Sequence, residues 1–485
     1  MKELTYDNLK ETGYDGYLLR EGAEKIIQFG EGNFLRGFVD YFIDVMNEKA
    51  DFGAKVVVVQ PIPQGQIEVL NRQEGLYTLY LRGRKGSQIV DEKRVISSIS
   101  RGIDPYSDFT SFLELAGNDD IEIIISNTTE AGIVYDKTCS FDDEPPVSFP
   151  AKLTRLLYER FTRSKGGHGY IILSCELIDD NGRKLRDIVM KHSREWELGD
   201  EFNGWLMEKN IFCSTLVDRI VTGYPSADAD KMNDENGYGD RLLDMAECFG
   251  LWVIEGPSRI GEAIPFKKAD LPVMITDDHR PYKLRKVRIL NGAHTCMVPV
   301  ALMWGETIVR DTMRNEYIGG FIRDLVTKEV IPTIPLPEKE LISFAEDVFD
   351  RFANPFIDHK LKDISLNSIS KWNARVKPSL MDFVKRKRCL PERIIFAFAS
   401  MVVFYKRGDT RDSSEVKNFF STYVDKGHNE ELLEKFLGNE SFFGEDLRRI
   451  KGIKERMLRY MDEIETRGMK EALISFLKEH GDGMD

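Results

Sequence analysis

Lys55-Val-Val-Val-Val-Gln60 carries four consecutive β-branched residues with no polar alternation, the pattern of a strand covered on both faces. Such a strand needs helices above and below it, and so belongs to a mostly parallel sheet. A second run, Ile121-Glu-Ile-Ile-Ile-Ser-Asn-Thr-Thr-Glu130, ends in a polar cluster. A third, Tyr170-Ile-Ile-Leu-Ser-Cys-Glu-Leu-Ile-Asp-Asp-Asn-Gly182, reads as a strand closing on Asn181-Gly182. Helical patterns fall between them, the clearest being Ala151–Phe161 with Ser148 as its cap. The expectation is an α/β, Rossmann-like N-terminal domain over residues 1–279, with ligands beyond the C-terminal strand ends.

The segment from Glu24 to Ile43 reads as a strand, a glycine turn and a helix. Gly30-x-Gly32 at that junction opens a dinucleotide fingerprint: the first glycine makes the turn, and the second lets backbone approach a pyrophosphate at the helix N-terminus. Leu35 stands where the third glycine belongs, with Gly37 close by, so the fragment also fits a plain strand-to-helix turn. The residues expected to hold a dinucleotide are Ile27, Phe29, Gly30, Glu31, Gly32, Asn33 and Phe34 around the turn, and Gln60 after the second strand. Asn127, Thr128 and Thr129 are expected near its nicotinamide. The amide of Gln60 suits a ribose hydroxyl but offers nothing to a 2′-phosphate, which favours NAD over NADP.

From about residue 280 onward helical periodicity takes over, as in Glu338–Phe352, Pro391–Tyr405 and Ile450–Leu477, so residues 280–485 are expected to form a mainly helical substrate and catalytic domain. Its first helix, from Pro281 to Trp304, has Asp277 and Asp278 before it, Pro281 in its first turn and Gly305 at its end. At about 100° per residue with Lys286 at zero, Lys283 falls at about 60°, His294 at about 80° and Asn291 at about 140°. An amine, a carboxamide and an imidazole in one sector can polarise a carbonyl and move its proton; a Lys desolvated there by Val287 and Leu290 is expected to titrate nearer neutrality. The alternatives are a solvated Lys on a helix surface and an Asn-Gly turn.

At 485 residues the chain exceeds the size at which single cores stop growing, about 250 to 300 residues. The net charge of −13 repels phosphate backbones and anionic lipid, and Lys385-Arg-Lys-Arg388 reads as a solvated helix end, so neither nucleic acid nor membrane is expected as a partner. Six cysteines without a Cys-x-x-Cys pair point to reduced thiols in the cytoplasm and away from a finger- or ribbon-type zinc site. No run reaches the roughly 18 apolar residues of a membrane helix, and the N-terminus lacks a signal-like apolar stretch.

Gly30-Glu-Gly-Asn-Phe-Leu-Arg36, Ser174-Cys-Glu176, Val217-Asp-Arg-Ile220, Trp252-Val-Ile-Glu255 and Lys286-x4-Asn291-x2-His294 together resemble the long-chain polyol-specific dehydrogenases, the mannitol dehydrogenase family, in the same order over most of the chain. Longer phrases such as Ser126-Asn-Thr-Thr-Glu-Ala-Gly-Ile133 and Leu290-Asn-Gly-Ala-His-Thr295 are similar to members that reduce D-tagaturonate to D-altronate. The resemblance implies a metal-independent, NAD-dependent enzyme with its active site between the two domains. It implies Lys286 as general acid and base, Asn291 at the oxyanion and His294 orienting the substrate oxygen. Fructuronate, fructose and mannitol are the alternative substrates, and a non-catalytic dinucleotide-binding protein is the alternative class.

Two positions depart from the family pattern. Leu177 stands where polyol-oxidising members carry an Asn that donates to the oxyanion, leaving Ser174 or Glu176 to rebuild that contact. Lys283 stands where they carry Glu, three residues before the catalytic Lys. A cation there suits a substrate with a carboxylate, which makes Lys283 a substrate-binding candidate, with His359, Lys360 and Lys371 as further ones.

Overall fold

The computed structural model describes residues 1–408, 410–423 and 428–481. These residues divide into two compact units, one of residues 1–82 with 89–279 and one of residues 83–88 with 280 onward.

The strands in chain order are β1 (Ala23–Phe29), β2 (Ala54–Val59), β3 (Tyr77–Lys85), β4 (Gln88–Ile96), β5 (Ile99–Ile103), β6 (Ile123–Ser126), β7 (Ile171–Ser174), β8 (Ile211–Asp218), β9 (Asp244–Glu247), β10 (Leu251–Glu255) and β11 (Val273–Thr276). Eight of them make one sheet in the order β11-β10-β8-β7-β6-β1-β2-β5, parallel throughout except where β10 meets β8; β4, β3 and β9 make a smaller one. The valines of β2 are buried on both faces, as their composition requires. One face packs Phe38, Phe42 and Trp252; the other packs Phe112, Phe149 and Leu153.

Register aligns the strand ends. Phe29 pairs with Val59 on one side and Ser126 on the other, Ser126 pairs with Ser174, and Ser174 with Ser214. The loops after β1, β2, β6 and β7 therefore leave the sheet at one edge, where ligands of such sheets bind. The helix Phe149–Ser164 is capped by Ser148, whose hydroxyl accepts from the Ala151 amide, as its sequence predicts.

The run Tyr170–Gly182 is not one strand. β7 stops at Ser174, Asp180 takes a left-handed conformation, and Asn181-Gly182 opens the helix Asn181–Glu195. The buried Asn181 carboxamide makes the break: it donates to the carbonyls of Ser174, Glu176 and Thr215 and accepts from the Thr215 amide. A Cβ on Gly182 would lie 2.3 Å from the Cys213 backbone, so only glycine admits this approach.

The second unit is helical, as its periodicity predicts. The helix Glu392–Lys406 is buried almost all round and packs against Gly292–Trp304 and Ile453–His480. The last of these is two helices, because Gly468 leaves helical geometry at φ 79°. Lys385–Arg388 are exposed at the end of Lys377–Lys387, the solvated helix end that the sequence suggested.

Candidate active site

Gly30 stands at φ 119°, and a Cβ there would lie 2.9 Å from the Asn127 carbonyl, so the turn after β1 requires glycine twice over. Gly32 differs: its φ is −67° and a Cβ would meet nothing within 4 Å. Its lack of a side chain leaves open space at the N-terminus of the helix that starts at Asn33, which suits a pyrophosphate. The buried guanidinium of Arg36 donates back to the Glu31 carbonyl and to Asn33 Oδ1 and fixes the turn. Leu35, at the third fingerprint position, is buried in the core.

Two cavities lie along this edge of the sheet. One of about 610 Å³ follows β2 and β5 and is lined by Gln60, Gly65, Asp104, Ser107 and Asp108. The other, of about 500 Å³, follows β6 and β7 and is lined by Phe34, Asn127, Thr129, Ala131, Leu177 and Val217. The strand order puts the glycine turn after β1 between the ends of β2 and β6, so the two cavities flank that turn, one on each side.

The expected cofactor residues separate into three groups. Gly32 and Asn33 are exposed at the turn, while Gln60, Phe34, Asn127 and Thr129 line the cavities. Ile27 and Phe29 reach neither cavity: both side chains are fully buried, with Phe29 against Phe112 and Phe149, because β1 directs them into the core on one face of the sheet. Glu31 and Thr128 turn inward. Glu31 accepts from the Gln66 amide and burial raises its pKa, while the Thr128 amide and hydroxyl donate to Glu176 at 3.1 and 3.0 Å. The acids Asp104 and Asp108 in the larger cavity were missed, because they follow β5 rather than β2.

Glu176 is committed to the protein's own backbone and side chains. Its buried carboxylate accepts from Ser126 Oγ as well as from Thr128, so it braces the loop after β6 and does not rebuild an oxyanion contact. Burial raises its pKa, opposed by those hydrogen bonds. Ser174 is buried too, and Leu177 is 63% exposed at the cavity rim.

In the second unit the helix predicted from Pro281 runs from Arg280 to Trp304 and ends at Gly305 with φ 112°. It is not α-helical throughout: Lys286–Asn291 is a π-helical segment in which the Gly292 amide bonds to the Val287 carbonyl, five residues back. One extra residue in the turn sets everything after it back by about 100°. Relative to Lys286, Asn291 then falls at about 40° and His294 at about 20° on the other side, so the three lie along one narrow stripe. The straight-helix angles spread them too widely, and the π-turn corrects the spread. Lys283 precedes the segment and keeps its offset of about 60°. Arg288, on the opposite side, is anchored to Asp382 at 2.7 Å and to Thr333.

Lys283, Lys286, Asn291 and His294 are all half-buried. The Asn291 carboxamide makes no hydrogen bond among the described residues, and the buried Nε2 of His294 has no partner either. The His294 ring stacks on Phe352 at 4.1 Å and meets His359 edge-on at 5.3 Å. Burial, reinforced by His359, Arg351, Arg375 and Lys371, pushes its pKa well below the ordinary histidine value, so the ring is neutral at physiological pH. His359 is held there by a bridge in which its carbonyl accepts from the Val309 amide.

Glu255, Asp278 and His279 offer oxygen and nitrogen atoms within 4.8 Å of one another. His279 Nδ1 is bonded directly to Glu255 at 2.6 Å, and Arg183 holds the other carboxylate oxygen, so Glu255 is already occupied on both oxygens by protein groups.

The Mannitol dehydrogenase Rossmann domain family model matches residues 24–268, and the Mannitol dehydrogenase C-terminal domain model matches residues 278–465. Altronate oxidoreductase of Bacillus subtilis (strain 168) is 43% identical over 479 residues, covering 98% of this chain and 99% of that one. Altronate oxidoreductase of Escherichia coli O9:H4 (strain HS) is 44% identical over 464 residues, covering 93% and 96%. Among solved structures, a substrate-free D-sorbitol dehydrogenase is 23% identical with a TM-score of 0.78, covering 97% of this chain and 100% of its own. Pseudomonas fluorescens mannitol 2-dehydrogenase, in a ternary complex with NAD and D-mannitol, is 21% identical with a TM-score of 0.66, covering 98% and 100%. At such identities the structural likeness is one of fold, but the family models and the curated relatives span nearly the whole sequence: the chain belongs to the mannitol dehydrogenase family.

Proposed function

We propose that this chain is an NAD-dependent oxidoreductase that interconverts D-tagaturonate and D-altronate, with Lys286 as general acid and base. The observation that carries the reading is the stripe of Lys286, Asn291 and His294 made by the π-turn, in a chain 43% identical to an altronate oxidoreductase over almost its full length. The glycine turn and its two flanking cavities fit a dinucleotide, and the acids Asp104 and Asp108 disfavour the extra phosphate of NADP.

Bound NADH supplies the hydride that reduces the ketone carbon. As charge builds on the carbonyl oxygen, the Lys286 ammonium donates its proton there and the open Asn291 amide donates a hydrogen bond. The neutral His294 ring, its Nε2 unpartnered, holds the same oxygen or its neighbouring hydroxyl in place. In the oxidative direction the neutral Lys286 amine takes the hydroxyl proton. The amine and the amide meet the developing charge without a metal ion, so a chelator should leave turnover unchanged.

No helix among the described residues is long and apolar enough to cross a membrane. With six free cysteines and a net charge of −13, the reading places the chain in the cytoplasm, acting on a small sugar acid and not on nucleic acid. The test is the rate of NADH oxidation with D-tagaturonate, D-fructuronate and D-fructose in parallel. Tagaturonate should give the highest kcat/KM; a higher value for either of the others would reassign the substrate, and no turnover of any would remove the enzyme reading.

A further inference from the structure

The helix Ser368–Arg375 packs against the reactive helix, and the Arg375 carbonyl lies 3.4 Å from where a Cβ on Gly292 would stand. Lys371 and Arg375 are one turn apart on it and share a face. Arg375 is half-buried, yet its guanidinium makes no hydrogen bond or ion pair among the described residues. Lys371 gives one bond, to the Ile364 carbonyl at 2.8 Å, and Asp412, the acid whose charge acts on it, is already bonded by Tyr405.

This arrangement is costly unless something compensates it. Two like charges at i and i+4 destabilise a helix, and a desolvated cation without a counter-ion costs more. Elsewhere the unit pairs its buried arginines: Arg288 with Asp382, and Arg393 with Asp324 and Glu329. A chain with 81 acidic residues against 68 basic ones does not lack partners, but among the described residues it places none on Arg375. Arg351 and His359 add positive or polar groups to the surroundings of the His294 ring, on which Arg375 and Lys371 also act. The field at the His294 ring therefore favours an anion.

We propose that Arg375, with Lys371 one turn before it, is the subsite that takes the carboxylate of the substrate and so selects a keto-uronate over a neutral ketose. This rests on the reading of the site as a ketone reductase. A guanidinium fork matches a carboxylate in a way that Lys283, a point charge on the reactive helix itself, does not. A carboxylate four C–C bonds of about 1.5 Å from the ketone carbon separates the anchoring end of the substrate from the reacting end. Lys283 then tunes the reactive helix and is not the anchor.

The experiment compares kcat/KM for D-tagaturonate with that for D-tagatose, which differs only in having CH₂OH in place of the carboxylate. Arg375→Gln should lower the ratio at least ten-fold, chiefly through KM for tagaturonate; Lys371→Gln should lower it less, and Arg375→Lys should restore part of it. Equal losses on both substrates, or a larger fall in the ratio for Lys283→Gln than for Arg375→Gln, would overturn the proposal. If the wild type reduces neither substrate, the assigned reaction fails, and the subsite is judged by calorimetric titration of the full chain with D-gluconate. Binding by the wild type that is lost in Arg375→Gln and recovered in Arg375→Lys supports it. No binding by the wild type, or equal binding by both, overturns it.

Discussion

Asn291 stands five residues after Lys286 across a π-helical turn, which swings its position to within about 40° of the lysine's around the helix axis instead of leaving it well off to one side. In a regular α-helix the same spacing would separate the two by about 140°, too far to act on one oxygen. Asn291→Ala should therefore lower kcat by about 10²- to 10³-fold, as loss of a single oxyanion donor does, with little change in KM. Steady-state kinetics with D-tagaturonate check this.

The two glycines of the first turn should separate folding from binding. Gly30→Ala places a side chain at φ 119° and 2.9 Å from a carbonyl, and should cost about 1–3 kcal/mol of stability by chemical denaturation. Gly32→Ala meets open space in ordinary geometry, so its stability should stay within about 0.5 kcal/mol while its Kd for NADH rises.

Removing Glu176 should act on the cofactor side. Glu176→Ala leaves Ser126 and the Thr128 amide and hydroxyl without their acceptor, which costs about 1–3 kcal/mol. Because Asn127 and Thr129 flank Thr128 at the cavity, the variant should also raise the KM for NADH.

The neutral His294 ring has a signature in the pH dependence of stability. Its folded pKa lies well below its unfolded value of about 6.5, so below pH about 6.5 the unfolded state binds the extra proton. Stability that is full above that pH is lost as the pH falls toward the folded pKa. Thermal melts at pH 7.5 and 5.5 should show a smaller acid loss for His294→Asn than for the wild type. His192, His359 and His480, with pKa values also lowered chiefly by burial, supply the remainder.

Much of this was legible in the sequence because it rests on local pattern. The valine run of β2, the cap at Ser148 and the helix beginning near Pro281 follow from burial and backbone rules that act within a few residues. What was not legible depends on distant partners. Nothing near Ile27 or Phe29 says which side of a two-faced sheet they enter, and Asn181 reads as a turn residue until Thr215 is beside it. The π-turn at Lys286 leaves no mark that single-residue propensities detect, so the angular map of the reactive helix was too wide. Arg375 lies 89 residues beyond Lys286, and only helix packing brings its helix beside the reactive one.

The role of Lys286 is tested most directly by turnover of D-tagaturonate by Lys286→Ala, followed by NADH absorbance, with the Kd for NADH measured on the same preparation. Loss of the general acid and base should lower kcat by about 10²- to 10⁴-fold with NADH binding preserved. Turnover close to that of the wild type would contradict it.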